Sequence, residues 1–148
     1  MTKIKIIFTV FSMLCIFFLV KPVTKSKDNN NGIKFFEGTW QEALKKSGSE
    51  KKLIFLDLST RWCGWCKKMK ANTYSDKNAG EYFNANFINM ELDAEQGEGK
   101  RLAQKFGVTG YPTIYIVDKN ENLILSSEGY HEAEDLIKLI KSAVKEKK

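Results

Sequence analysis

Apolar and polar positions alternate along the chain in two distinct periods. Leu53 to Leu58 (LIFLDL) is almost unbroken apolar and has the length of a strand buried on both faces. Phe87 to Asp93 (FINMELD) alternates over most of its length, as a half-buried strand does. Thr113 to Val117 (TIYIV) is β-branched and aromatic and reads as a third strand. Leu123 to Leu125 returns across the turn Asp118-Lys119-Asn120-Glu121 as its hairpin partner. Ile33 to Phe36 is a further short strand candidate.

Helical patterns lie between these runs. Thr39-Trp40-Gln41-Glu42 is a capping box, and it opens a helix to about Lys46 that Ser47-Gly48-Ser49 ends. A helix starts near Cys63 with Met69 and Tyr74 on its inner side, and another runs from Asp76 to Phe83. Gly99 to Phe106 is helical, with Gly107 as its C-cap. His131 to Lys145 is amphipathic, with Leu136, Ile137, Ile140 and Val144 on one side. The predicted order β-α-β-α-β-α-β-β-α implies an α/β fold, a central mixed sheet flanked by helices on both faces.

The first 32 residues carry a different pattern. Lys3 and Lys5 precede the apolar run Ile6 to Val20, which is short for a spanning helix of about 20 residues. Residues 1–26 therefore read as a signal peptide or an N-terminal membrane anchor, and the polar stretch 27–32 as a linker. Cys15 is a passenger of the apolar run, because Ser12-Met13-Leu14 lacks the small residue expected beside a lipidated Cys. Residues 33–148 then form one domain outside the cytoplasm, periplasmic or anchored facing the periplasm, where disulfides persist.

Charge changes the picture little. The formal charge is +6, but Lys3, Lys5, Lys21 and Lys25 stand in a segment without acids. Setting them aside leaves 20 bases against 18 acids, a net of +2. Nothing in the body favours nucleic acid, and any membrane contact falls to residues 6–20.

The chemistry lies at Cys63-Gly64-Trp65-Cys66, which holds the body's only cysteines. The pair follows a buried strand and opens a helix. Cys63 there meets unpaired backbone N–H groups that favour a thiolate. Cys66, one turn on, is within reach to close a disulfide, and Gly64 keeps bulk away from Cys63. Two other readings fit the spacing less well. Zinc needs four ligands, and only His131 and Cys15 remain, so no metal site is expected. A structural disulfide across one turn gives little loop-closure stabilisation. A redox dithiol fits best, and it needs no cofactor. Asp57, at the end of the buried run, should be desolvated and able to take the Cys66 proton.

The stretch Phe55 to Met69 resembles the active-site segment of thioredoxins. Trp62 stands where that family keeps a Trp before the first Cys, and Asp57 where it keeps a buried acid. Phe106-Gly107-Val108-Thr109-Gly110-Tyr111-Pro112-Thr113 resembles the segment carrying a cis-proline opposite the disulfide, and Gly129 also fits. The resemblance covers residues 33–148 and is nearest the C-terminal domains of transmembrane thiol:disulfide interchange proteins. It departs at the Gly64-Trp65 dipeptide and at Asn89, where thioredoxins keep a Lys that pairs with the buried acid.

The resemblance implies a thioredoxin fold and an exported thiol:disulfide oxidoreductase. Its expected catalytic residues are Cys63, Cys66, Asp57 and Pro112. Trp62, Gly64, Trp65, Tyr111 and Thr113 are expected to bind substrate. The implied partners are disulfide-containing proteins and a membrane electron carrier that restores the dithiol. The direction expected is reduction, since Asp57 serves Cys66 and the dipeptide has no His to stabilise a reduced thiolate. An oxidase or isomerase of folding proteins is the alternative in the same class. A redox-inert binding module on this scaffold is the alternative outside it.

Overall fold

The computed structural model describes residues 31–146. The expected signal peptide or anchor, residues 1–26, lies outside the described residues, as does most of the 27–32 linker. Five α-helices and four strands follow one another: α1 (Trp40–Glu50), β1 (Leu53–Ser59), α2 (Gly64–Met69), α3 (Lys77–Asn86), β2 (Phe87–Asp93), α4 (Gly97–Phe106), β3 (Thr113–Val117), β4 (Leu123–Glu128) and α5 (Ala133–Lys145). A π-helical turn, Lys70–Tyr74, continues α2. No helix among the described residues is long and apolar enough to cross a membrane.

The sheet order is β2-β1-β3-β4, with β1 parallel to β2 and antiparallel to β3, and β3 antiparallel to β4. Alternation along β1 divides the core between its faces. Ile54, Leu56 and Leu58 point to one side, where they meet Trp40 and Ala43 of α1 and Leu102 of α4. Phe55 points to the other, against Met69 of α2, Tyr74 of the π turn, Phe83 of α3 and Leu136 and Ile140 of α5. Helices thus cover both faces, as the sequence pattern implies.

Two expectations are corrected. Ile33–Phe36 forms no strand but an extended strap along the β2 edge. Its backbone makes isolated bonds, Ile33 N to Tyr74 O and Phe36 N to Asn89 O, both 2.7 Å. Between them, side chains substitute for a ladder: Lys34 N donates to Asn84 Oδ1, and Asn89 Nδ2 donates to Lys34 O. Helix α1 also does not stop at Ser47-Gly48-Ser49. Ser49 Oγ donates back to Lys46 O and buried Ser47 Oγ donates to Lys52 O. The stop comes at Lys51, which adopts a left-handed conformation (φ 53°) and donates its N–H to Ser47 O.

Gly80 of α3 lets the strap sit close. A Cβ there would stand 2.0 Å from Asn31 O and 2.7 Å from the Gly32 carbonyl carbon. Gly80→Ala gains about 1 kcal/mol of helix propensity. Overpacking against backbone costs about 1–3 kcal/mol, and displacing the strap also loses its hydrogen bonds. The variant is expected to be the less stable protein in urea unfolding. A midpoint at or above that of the parent chain would show that the strap contributes nothing.

Candidate active site

Strand β1 ends at Ser59, and the chain turns through Thr60-Arg61-Trp62 into α2, with Cys63 N donating to Thr60 O. Cys63 is the N-cap of α2, in extended conformation, and its Sγ accepts from Cys66 N at 3.1 Å. Cys63 and Cys66 form a disulfide, with Cα atoms 5.3 Å apart. Exposure does not separate the two in this oxidised state, at 5% and 3%. The hydrogen bond does separate them, because a backbone donor aimed at Cys63 Sγ also stabilises a thiolate there.

Around the disulfide stand two aromatic flanks. Trp62, 65% exposed, meets Tyr111 edge-on at 5.9 Å and donates Nε1–H to Glu95. Trp65, 58% exposed, tilts over Tyr130 at 5.7 Å. Lys68 Nζ lies over both rings of that second flank, 5.1 Å from Trp65 and 4.4 Å from Tyr130. The Trp62–Tyr111 contact brings the Pro112 loop to the site, and the Tyr111–Pro112 peptide is cis. Pro112 is buried, and its carbonyl accepts from Gly129 N. Thr113 is buried too, and its hydroxyl donates to Gly110 O. Its side chain therefore braces the loop. A Cβ on Gly64 would meet nothing within 4 Å, so packing inside the protein leaves this position open.

Asp57 lies on the Phe55 face of β1, 1% exposed. Cys66 and Met69, one turn apart on α2, share the inward side that packs over this face. Burial first, then the charge of Glu91, pushes the Asp57 carboxyl up to about 8, while the Tyr74 hydroxyl and Lys70 pull it down. Neither Asp57 Oδ1 nor Tyr74 Oη has a hydrogen-bond partner among the described residues. Tyr74 still stands close enough for its hydroxyl to act on the Asp57 carboxyl. Burial, Asp57 and Glu91 in turn hold Tyr74 well above the usual phenol range.

Asn89 is turned away from this role, since its amide donates to Lys34 O and Asn84 Oδ1. The positive charge near Asp57 is Lys70, from the π turn, paired with Glu91 at 2.5 Å. Sequence reasoning missed Lys70, Glu91, Tyr130 and Lys68. Glu91 had a visible signal, because it shares the alternation parity of Asn89 on β2. Tyr130 adjoins Gly129. His131 accepts through its carbonyl from Thr73 Oγ1, and its Nε2 lies 2.9 Å from Ser127 Oγ. These contacts tie the segment before α5 to the π turn and to β4.

Fold and dithiol together define a thiol:disulfide oxidoreductase of the thioredoxin class. Residues 40–143 match the family model of the thioredoxin-like domain, and the chain belongs to that family. Among curated proteins it is similar to the thiol:disulfide interchange protein DsbD of Haemophilus influenzae, 33% identical over 76 residues, which is 51% of this chain but 13% of that one. The protein disulfide isomerase-like 2-2 of Oryza sativa is 35% identical over 92 residues, 62% of this chain and 24% of its own length. The chain thus matches a minor part of these relatives. A solution structure of a candidate disulphide isomerase from Bacteroides thetaiotaomicron is 38% identical, with a TM-score of 0.69, covering 76% of this chain and 93% of that one. The oxidised C-terminal domain of DsbD from Neisseria meningitidis shares the fold at 22% identity, with a TM-score of 0.61, covering 74% of this chain and 99% of that one.

Proposed function

We propose that this protein is an exported reductant of protein disulfides, cycling Cys63 and Cys66 between dithiol and disulfide. Cys63 thiolate attacks a substrate disulfide and forms a mixed disulfide, releasing one substrate thiol. Cys66 then attacks Cys63 Sγ, the second substrate sulfur leaves, and the protein is left oxidised. Asp57 takes the Cys66 proton in that second step. The Pro112 loop and the rings of Trp62, Trp65 and Tyr111 hold the substrate segment against Cys63. A membrane carrier of electrons returns the disulfide to the dithiol.

The observation that carries the direction is the buried carboxyl of Asp57 on the inner side of the disulfide helix, with its Oδ1 free of a hydrogen-bond partner. A base reserved for the resolving thiol favours completing reduction over leaving substrates in mixed disulfides. One observation favours a second reading. The solved structure at 38% identity is a candidate disulphide isomerase, and isomerisation uses the same first attack.

Equilibration with glutathione separates the two. A midpoint near −270 mV is expected for the reductant, and one near −180 mV or above moves the protein to isomerase or oxidase. Export is tested in intact cells expressing a Cys15→Ser chain, in which only Cys63 and Cys66 remain to react. A membrane-impermeant thiol reagent should label them after mild reduction of intact cells. Labelling only after lysis would overturn export and leave a cytoplasmic reductant.

A further inference from the structure

Asp57 does not stand alone on its face of the sheet. The parallel register sets it directly beside Glu91, and Ser59 beside Asp93. Glu91 is the acid nearest in register, and Lys70 from the π turn closes over it at 2.5 Å. Ser59 Oγ lies 3.4 Å from Glu91 Oε1. These groups line a cleft of about 270 Å³ with Thr60, Arg61 and Asp93. Asp57, 1% exposed, does not itself line that cleft. The other groups facing Asp57 are Tyr74 of the π turn and, across the sheet, uncharged Ile114 of β3.

A second carboxylate beside a buried one is an unfavourable neighbour, and stability alone gives no reason for it. The compensating ion pair is half exposed on its Lys side, and exposed pairs contribute only about 0–1 kcal/mol. Lys70 also opens the π-helical turn, a local irregularity that is frequent at functional sites. A countercharge to Asp57 thus comes from an element next to the disulfide helix, and it is shared with a competing acid.

We propose that Glu91 and Lys70 are positioning residues for the resolving step: as an ion pair at the cleft beside Asp57, they set how readily that carboxyl takes up and releases the Cys66 proton. This deepens, and as a statement about catalysis rests on, the reading of Asp57 as the base. In the step itself the Cys66 thiol attacks Cys63 Sγ. The Cys63–Cys66 bond forms, the bond from Cys63 to the substrate sulfur breaks, and its electron pair leaves on the substrate thiolate. The Cys66 proton goes to Asp57, and from there past Glu91 to solvent in the cleft. The protein dithiol loses two electrons and the substrate disulfide gains them.

The test uses the full chain with Cys15→Ser, and it reads two quantities in Lys70→Gln, Glu91→Gln and the double variant. The first is the pH midpoint of the Asp57 carboxyl, followed by carbon NMR of labelled Asp. Lys70→Gln should raise the midpoint by about one pH unit, because Glu91 is then unopposed; Glu91→Gln should lower it by a similar amount, and the double variant should fall between. Midpoints that stay within a few tenths of a unit in both single variants would reduce the pair to a surface contact and overturn the proposal. The second quantity is the rate at which a preformed mixed disulfide resolves, against pH. Its profile should move with the carboxyl midpoint, so that Lys70→Gln resolves up to tenfold more slowly at pH 7. If the midpoints move and the rate profile does not, Glu91 and Lys70 still govern Asp57, and it is the assignment of Asp57 as base that fails.

Discussion

Replacing Cys66 by Ser is expected to turn the protein into a trap for its substrates. The backbone N–H of residue 66 remains, so the donor 3.1 Å from Cys63 Sγ survives the change and the first attack is preserved. What disappears is the intramolecular thiol. Such a thiol acts at effective concentrations of about 10⁵ M or more, which millimolar external thiols do not approach. Mixed disulfides should therefore outlast those of the parent chain by orders of magnitude. They should be visible as high-mass bands on a non-reducing gel after acid quenching. Cys63→Ser should show no such bands and no insulin reduction. Both sulfurs are almost equally buried in the oxidised protein, so the assignment rests on the hydrogen bond and on the N-cap position. Trapping by Cys63→Ser and not by Cys66→Ser would reverse the roles. No insulin reduction by the parent chain and no trapping by either variant would favour a redox-inert module.

Asp57→Asn is expected to stabilise the protein and slow it. The carboxyl is raised from 3.8 to about 8, chiefly by burial. Between these values the folded chain holds a proton that the unfolded chain has released. Stability therefore declines as pH rises from about 4 to about 8, and the cost is fully present above 8. At about 1.4 kcal/mol per pH unit the full shift corresponds to roughly 6 kcal/mol as an upper bound. Asn carries no such cost. The advantage of the variant in urea unfolding of the oxidised protein should be small near pH 4 and grow to several kcal/mol by pH 8.5. An advantage that does not grow with pH would mean that the carboxyl is ionised in the folded state.

The same change removes the base. With a midpoint near 8, about a tenth of Asp57 is ionised at pH 7, so resolution by the parent chain should rise roughly tenfold per pH unit below pH 7 and about fivefold more by pH 8. The Asn variant should resolve mixed disulfides on the order of 10²–10⁴-fold more slowly, without that slope. Resolution at the parental rate near pH 7 would leave Asp57 as a structural acid only.

Much of this protein follows from local sequence alone. The run Leu53–Leu58 is a strand between two helical layers because its residues leave neither face polar enough for water. Thr39 and Glu42 start α1 through a capping box, and Gly107 ends α4 in the left-handed region, each by bonds within a few residues. Cys63 and Cys66 are three apart on one turn, so their disulfide needs no distant partner. Tertiary structure decided what depends on register and packing. Asp57 meets Glu91 because β1 and β2 pair in parallel at that offset, and it meets Lys70 and Tyr74 because α2 passes into a π turn. Trp65 finds Tyr130 across 65 residues, and the strap at Ile33–Phe36 is held by Asn84 and Asn89 in place of a ladder. A periodic pattern tells which face a residue occupies, whereas the charge that stands opposite it is set by how two distant elements come to lie side by side. The dithiol was therefore legible in the sequence, and the electrostatics around its base was not.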